Sequence, residues 1–171
     1  MRKKIQDILA RYKKNQDDVD SVKYRLAEKE DIYYLLAIER DIYDGDVPWT
    51  YSHFVHEIEV NDKSIFMVAT KQGKVVGFSG CRIDLAHKSI HITNLAVKKS
   101  AQGQGIAKGF IREFDKLAKT GKLKKISLEV KRTNYRAQAI YRRAGFHSDR
   151  IIMNYYEDGT DGIWMEKNYL D

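Results

Sequence analysis

A chain of 171 residues, 43% hydrophobic and 32% charged, is long enough for one domain with an apolar core and has the composition of an ordinary globular protein. It contains no run of ~18 apolar residues, and no apolar signal-peptide stretch follows its basic N-terminus, so we expect no membrane partner and predict a cytoplasmic location. The net charge of +7 is uneven, with net +5 over residues 1–14 and net +11 over residues 98–143, which suits a polyanionic partner or a solvated helix face.

The first predicted element is a helix over residues 2–14. Its apolar side chains recur at helical spacing: Ile5, Ile8, Leu9 and Tyr12. We expect this helix to pack on the core of its own domain and the polar run 15–18 to end it. Residues 1–20 would then form a helical extension to a domain spanning residues 22–171.

The rest of the chain shows the patterns of one mixed domain. Alternating apolar residues predict strands over 22–26, 64–70, 74–84, 89–97, 125–130, 147–155 and 162–167. Helical spacing predicts helices over 31–43, after Thr50, over 105–119 and over 134–144. Gln72-Gly73 is typical of a hairpin turn. Three strands at hairpin spacing therefore precede the helix of 105–119.

A glycine loop, Gln102-Gly103-Gln104-Gly105-Ile106-Ala107, lies between the strand of 89–97 and the next helix. Glycines let the backbone curl so that its N–H groups converge, and the helix N-terminus adds positive potential, so the loop predicts an anion site that suits pyrophosphate. No window fits a P-loop. Lys108 stands where a dinucleotide-binding loop needs its third glycine. The remaining candidate is the acetyl-CoA loop, which the segment matches. Its pattern is Gln or Arg, then any two residues, then Gly, then any residue, then Gly or Ala.

The surroundings of this loop extend the pattern. They include Ile92-Thr93-Asn94-Leu95-Ala96-Val97, Leu128-Glu129-Val130, Asn134, and Ala139-Ile140-Tyr141-Arg142-Arg143-Ala144-Gly145-Phe146. Through these motifs the chain resembles the GNAT superfamily of Gcn5-related N-acetyltransferases over about residues 22–168. The chain also resembles the RimI-type ribosomal-protein alanine N-acetyltransferases in two short motifs, Pro48-Trp49-Thr50 and Asn154-Tyr155-Tyr156. The helix of residues 1–20 is not part of that family's core.

The resemblance implies an α/β (α+β) GNAT fold: a central mixed, mostly antiparallel sheet of about six to seven strands, flanked by helices and splayed between strands 4 and 5. It implies an acyltransferase that moves acetyl from acetyl-CoA to a primary amine. The acceptor would be the N-terminal α-amine of a protein, as in the ribosomal-protein enzymes, and the chain would be a monomer or homodimer. The five histidines show no metal-ligand spacing with Cys81, and no metal is predicted.

The resemblance also implies roles for individual residues. Cofactor-binding roles fall on Leu95, Ala96, Val97, Gln102, Gly103, Gln104, Gly105, Ile106, Ala107, Lys108 and Asn134. The three strand residues would offer backbone groups to the pantetheine arm, and the loop would hold the pyrophosphate. Plainer alternatives stay open, because Asn134 could only cap its helix and Lys108 could only be solvated.

Two residues are candidates for proton transfer. A protonated amine must lose a proton before it attacks, and Glu129 is the expected base, with an ion pair to a lysine as the alternative. Tyr141 is the expected acid for the leaving thiolate, with packing beside the cofactor as the alternative. Trp49, Tyr155 and Tyr156 would flank the acceptor groove, unless they only fill the edge of the core.

Other functions remain to be weighed against protein N-terminal acetylation. A GNAT enzyme could act on a small amine such as a polyamine or aminoglycoside. A non-catalytic GNAT-like fold could bind acyl-CoA and regulate a partner through its basic N-terminal helix, although Glu129 and Tyr141 argue against this. Direct nucleic-acid binding is not expected, since no aromatic-rich strand for base stacking is present.

Overall fold

The computed structural model describes residues 2–14, 22–45 and 47–169. Within these ranges the helices are α1 Arg2–Lys14, α2 Ile32–Ile42, α3 Tyr51–Val55, α4 Ile106–Gly121 and α5 Tyr135–Arg143. The strands are β1 Val22–Leu26, β2 Ser64–Lys71, β3 Lys74–Asp84, β4 Ser89–Val97, β5 Lys125–Lys131, β6 His147–Ile152 and β7 Gly162–Asn168. The predicted helix end at residues 15–18 lies outside the described residues.

The seven strands form one sheet in the order β1-β2-β3-β4-β5-β7-β6. β4 and β5 are parallel, and all the other neighbours are antiparallel. Gln72 and Gly73 both have positive φ, 49° and 74°, as a two-residue hairpin turn requires. This turn sets Lys71 opposite Lys74. The predicted mixed, mostly antiparallel sheet is confirmed.

Helices cover both faces of the sheet because its strands are apolar on both sides. In β2, Ile65 and Met67 belong to the core under α1 and α4, whereas Phe66 and Val68 belong to the core under α2 and α3. Successive side chains of a strand point to opposite faces, so one continuous apolar strand serves both cores.

Helix α1 packs on this domain with the apolar side that the sequence predicts. Ile5, Ile8 and Tyr12 are buried, and the Tyr12 hydroxyl donates a hydrogen bond to the buried carboxylate of Glu113 on α4. Ile8 also lies against Gly121, at the far end of α4. Since Tyr12 contacts the middle of α4 and Ile8 its end, the two helices run antiparallel.

The parallel pair β4 and β5 separates before either strand ends. Its pairing stops at Ile92 and Leu128, although β4 continues to Val97 and β5 to Lys131. A β-bulge accompanies the separation. Ile92 and Asn94 both pair with β3, whereas Thr93 between them pairs with neither β3 nor β5. The splay predicted between strands 4 and 5 is therefore confirmed.

Two boundaries differ from the sequence prediction. β6 ends at Ile152, and Asn154 has a positive φ of 50°, so Tyr155 lies in a loop instead of the predicted strand. α4 continues through Gly121, and its left-handed cap is Lys122 with φ 52°. Gly121 serves packing instead, since a Cβ there would lie 3.1 Å from Ile8. No helix in the described ranges combines the length and apolar character needed to cross a membrane.

Candidate active site

A cavity of about 420 Å³ opens where β4 and β5 part. Its walls come from β4, β5, α2, α5, the start of α4 and the loop before β7. Of the predicted site residues it brings together Leu95, Ala96, Ala107, Glu129, Asn134, Tyr141 and Tyr156. The candidate base and the candidate acid thus face one space beside the glycine loop.

Other predicted site residues lie outside the walls of this cavity. They are Trp49, Val97, Gln102, Gly103, Gln104, Gly105, Ile106, Lys108 and Tyr155. Val97 and Ile106 are buried in the main core. Trp49 packs on the rings of Phe54 and Phe66, with centroid distances of 5.4 and 5.9 Å. The structure therefore separates a cavity lined by the candidate base and acid from the glycine loop, which lies next to it.

The glycine loop leads into the N-terminus of α4 through two glycines with positive φ. Gly103 and Gly105 have φ of 79° and 80°, and Gly105 is the N-cap residue of the helix. No atom lies within 4 Å of a Cβ built on Gly105, so the backbone there faces open space. The side chain of Gln102 fixes the loop, donating from Nε2 to the Val97 carbonyl at 3.0 Å and accepting from Arg136 at 3.3 Å.

Polar groups without partners lie where the two strands separate. Thr93 Oγ1 and Asn94 Oδ1 are buried and have no hydrogen-bond partner in the described structure, and both residues line the cavity. Beyond Ile92 the backbone of β4 also lacks a β5 partner. Buried polar groups are nearly always satisfied, so these residues fit an extended ligand with polar groups, such as a pantetheine arm.

Glu129 is held by a histidine that the sequence analysis did not select. Its Oε2 lies 2.9 Å from His91 Nε2, and His91 Nδ1 lies 3.0 Å from Ser127 Oγ. The imidazole stacks on Trp164 with centroids 5.1 Å apart and planes 16° apart. The sequence analysis considered histidines only as metal ligands. The relation between His91 and Glu129 follows from the parallel register of β4 and β5, which sets His91 opposite Ser127, two residues before Glu129.

The tyrosines around the cavity are kept in their neutral form. Burial raises the pKa of Tyr141 to about 12, and the nearby Tyr43 contributes to the rise. Burial also raises the pKa of Tyr155, and so do the charge of Glu129 and a hydrogen bond to it. Burial, Tyr155 and Glu129 raise the pKa of Tyr156. Each hydroxyl can therefore act as a hydrogen-bond donor at neutral pH.

A second carboxylate, Glu39 on α2, also lines the cavity and was not predicted from the sequence. It is 2% exposed, and its Oε2 accepts a hydrogen bond from the backbone N–H of Trp49 at 3.0 Å. Burial raises the pKa of Glu39, and this hydrogen bond offsets part of the rise. Two carboxylates on one cavity favour a cationic acceptor. Within the described residues, no group of three or more His, Cys, Asp or Glu is arranged to hold a metal ion.

Known proteins are similar to this chain in sequence and in fold. A sequence model of the Acetyltransferase (GNAT) family matches residues 24–146. A Bacillus subtilis (strain 168) protein, named provisionally as a ribosomal protein bS18 alanine N-acetyltransferase, is 33% identical over 137 residues, which cover 80% of this chain and 88% of the relative. An N-alpha-acetyltransferase of Sulfolobus acidocaldarius is 28% identical, with 82% and 89% covered. The crystal structure of the ribosomal-protein-S18-alanine N-acetyltransferase from Escherichia coli superposes with a TM-score of 0.76 at 26% identity, with 86% and 93% covered.

Proposed function

The chain belongs to the acetyltransferase (GNAT) family, and we propose that it transfers acetyl from acetyl-CoA to the N-terminal α-amine of a protein, with an alanine at the N-terminus of a ribosomal protein as the first candidate acceptor. The single observation that carries acetyl transfer is the cavity at the β4–β5 splay, where Glu129 and Tyr141 face the same space. The choice of acceptor is supported by the activities that the relatives' names give. A ribosomal acceptor would place the enzyme in the cytoplasm.

The donor side of the site would hold acetyl-CoA along the open edge of β4. Leu95, Ala96 and Val97 would present backbone groups to the pantetheine arm, since β5 leaves this edge unpaired. Gly103 and Gly105 would let backbone N–H groups approach the pyrophosphate at the N-terminus of α4. A backbone N–H of this stretch, at Val97, would polarise the thioester carbonyl.

The acceptor side would remove a proton from the amine. Glu129 would accept that proton, directly or through a water molecule, while His91, 2.9 Å away, holds the carboxylate in place. The amine nitrogen then forms a bond to the acetyl carbon as the carbon–sulfur bond breaks. Tyr141 would donate a hydrogen bond or its proton to the leaving sulfur, since its raised pKa of about 12 keeps the hydroxyl protonated.

The acceptor class is tested by offering several amines to the same enzyme. We would incubate the protein with acetyl-CoA and follow free thiol release in the presence of one of three acceptors. These are a peptide with a free N-terminal alanine, the same peptide with a blocked N-terminus and an internal lysine, and spermidine. We expect rapid release only with the free N-terminus and a mass gain of one acetyl group on its first residue. Transfer confined to spermidine or to the internal lysine would overturn the proposal.

A further inference from the structure

The most exposed side chains of helix α4 are all basic. Its exposed residues are Lys108, Arg112, Lys116 and Lys119, and the exposed cap residue Lys122 follows them. The acidic residues of the helix offset only part of this charge. Glu113 is buried and pairs with Lys116 at 3.1 Å, and Asp115 pairs with Lys167 at 2.9 Å. A row of cations at successive helical turns is therefore left facing outward.

Helix α1 extends this positive surface. It runs antiparallel to α4, and the exposed charged side chains that the structure describes on it are three cations, Lys3, Lys4 and Arg11, and one carboxylate, Asp7. We call the joint surface of the two helices the α1–α4 basic surface, consisting of Lys3, Lys4, Arg11, Arg112, Lys116, Lys119 and Lys122. Lys108 is left out because it lies next to the glycine loop.

The surface extends along α4 to the end of the helix that lies far from the cavity. Ala107, at the start of α4, lines that cavity, and Lys122 lies at the other end of the helix. With a rise of about 1.5 Å per residue, roughly 22 Å separate the two positions along the helix. A partner bound there would leave both the cavity and the glycine loop accessible.

The composition of the surface indicates which partner it fits. None of the large hydrophobic side chains that the described structure exposes lies on α1 or α4. Such side chains anchor membrane-bound helices and most protein interfaces, so their lack disfavours both partners. Lysine and arginine without aromatic neighbours fit phosphates instead, as in sequence-independent binding to nucleic acids. From Arg112 to Lys122 the row spans about 15 Å, which is enough to meet several successive phosphates.

We propose that the α1–α4 basic surface binds the phosphate backbone of RNA without regard to base sequence. The charge supports a nucleic acid, and the choice of RNA rests on the proposed function, because a ribosomal acceptor is surrounded by RNA. Nucleic-acid binding was not expected from the sequence because no aromatic-rich strand for base stacking is present. Binding to phosphates requires no stacking, so that argument does not apply to this surface.

The test compares two variants with equal loss of charge. The surface variant carries Lys4→Gln, Lys119→Gln and Lys122→Gln. The control variant carries Lys63→Gln, Lys74→Gln and Lys88→Gln, three exposed lysines that are not members of the α1–α4 basic surface, and Lys88 shares the positive φ of Lys122. Fluorescence anisotropy with a labelled RNA hairpin would measure affinity between about 50 and 200 mM salt, with saturating CoA present to occupy the glycine loop.

We expect the surface variant to lose at least tenfold in affinity and the control variant less than twofold. The slope of log affinity against log salt should fall in magnitude by about 2–3 in the surface variant, because three phosphate contacts are lost. Equal losses in both variants, no binding at 50 mM salt, or equally tight binding of polyglutamate or anionic vesicles would overturn the proposal. Tighter binding of a matched DNA hairpin would overturn the choice of RNA.

Peptide acetylation measured in parallel separates the two proposals. We expect both variants to acetylate the alanine peptide at the parent rate, since none of the six lysines lines the cavity. Surface-dependent RNA binding by a protein that acetylates no peptide would overturn the proposed acceptor alone. Full peptide acetylation without RNA binding would overturn the surface proposal alone.

Discussion

At the scale of single residues, Glu129 is the proposed base for acetyl transfer. His91 lies 2.9 Å from it, and the imidazole is in turn held by Ser127 and by stacking on Trp164. These contacts leave the carboxylate one defined orientation toward the cavity. A base that is fixed in this way loses little entropy when it accepts a proton from a bound amine.

Replacing the carboxylate should remove the base while keeping the shape of the site. We expect Glu129→Gln to lower kcat about 100-fold or more at neutral pH, within the usual contribution of general base catalysis. Steady-state rates with the alanine peptide would measure the effect. Glu59→Gln, on an exposed carboxylate paired with Lys29 at 3.4 Å, is the matched control and should leave kcat unchanged. A Glu129→Gln variant with at least a third of the parent rate would contradict the assignment.

Tyr141 is predicted to act on the leaving sulfur. Tyr141→Phe removes only the hydroxyl, so we expect kcat to fall about 100-fold with little change in KM. Tyr135→Phe, on the same helix but 74% exposed, should have no effect. Because the pKa of Tyr141 is raised to about 12, its ionisation should cause no loss of activity below about pH 10. A Tyr141→Phe variant with parent kcat would leave packing as the role of this ring.

At the scale of elements, the glycine loop has a backbone conformation that favours glycine at the place proposed to bind phosphate. Gly105 has a φ of 80° with open space where a Cβ would lie, so Gly105→Ala should fold but cost about 1–2 kcal/mol of stability. The added methyl group also faces the space where a phosphate would bind. We therefore expect KM for acetyl-CoA to rise at least fivefold.

Gly159 provides the control for this variant. It has a φ of 78° and equally open surroundings, but it is not part of the glycine loop. Gly159→Ala should cost similar stability in urea unfolding and leave KM for acetyl-CoA unchanged. If both variants raised KM equally, the effect of Gly105→Ala would be one of stability alone.

The elements themselves were predictable because their patterns are local. β1, β3 and β4 have the bounds that alternation and turn residues indicate, and the Gln72-Gly73 turn follows from two residues. Tyr155 was placed in a strand because its neighbours are apolar or aromatic, and the positive φ of Asn154 ended that strand early. Apolar character alone does not reveal where a strand turns.

The missing parts of the site depend on contacts between distant segments. Glu39 comes to the cavity from α2, and His91 reaches Glu129 only because β4 and β5 are parallel in one particular register. Neither relation is visible in a local pattern of residues. The site residues that could be predicted from the sequence, such as Glu129 and Tyr141, lie within recognisable sequence motifs. Their catalytic roles stay predictions until variants are measured.

At the scale of the whole molecule, two buried carboxylates make opposite contributions to stability. Burial alone would raise the pKa of Asp31, but hydrogen bonds from Arg25 at 2.6 Å and from the Glu28 backbone hold that pKa below its usual value. Glu39 has no cationic partner in the described structure, and burial raises its pKa. A lowered folded pKa stabilises the protein at neutral pH, whereas a raised one stabilises it only in acid.

The sign of each contribution can be tested by varying pH. Stabilisation from Asp31 should be complete above its unfolded pKa of about 3.9 and be lost as pH falls through the lower folded pKa. We therefore expect Asp31→Asn to reduce the free energy of unfolding by about 1–3 kcal/mol at pH 7 and by less near pH 3. Glu39→Gln should keep the hydrogen bond from Trp49 and equal or exceed the parent stability at pH 7, with any gain vanishing toward pH 4. Urea unfolding at pH 3, 5 and 7 would measure both differences, and a deficit of Asp31→Asn that is constant across this range would contradict the assignment to ionisation.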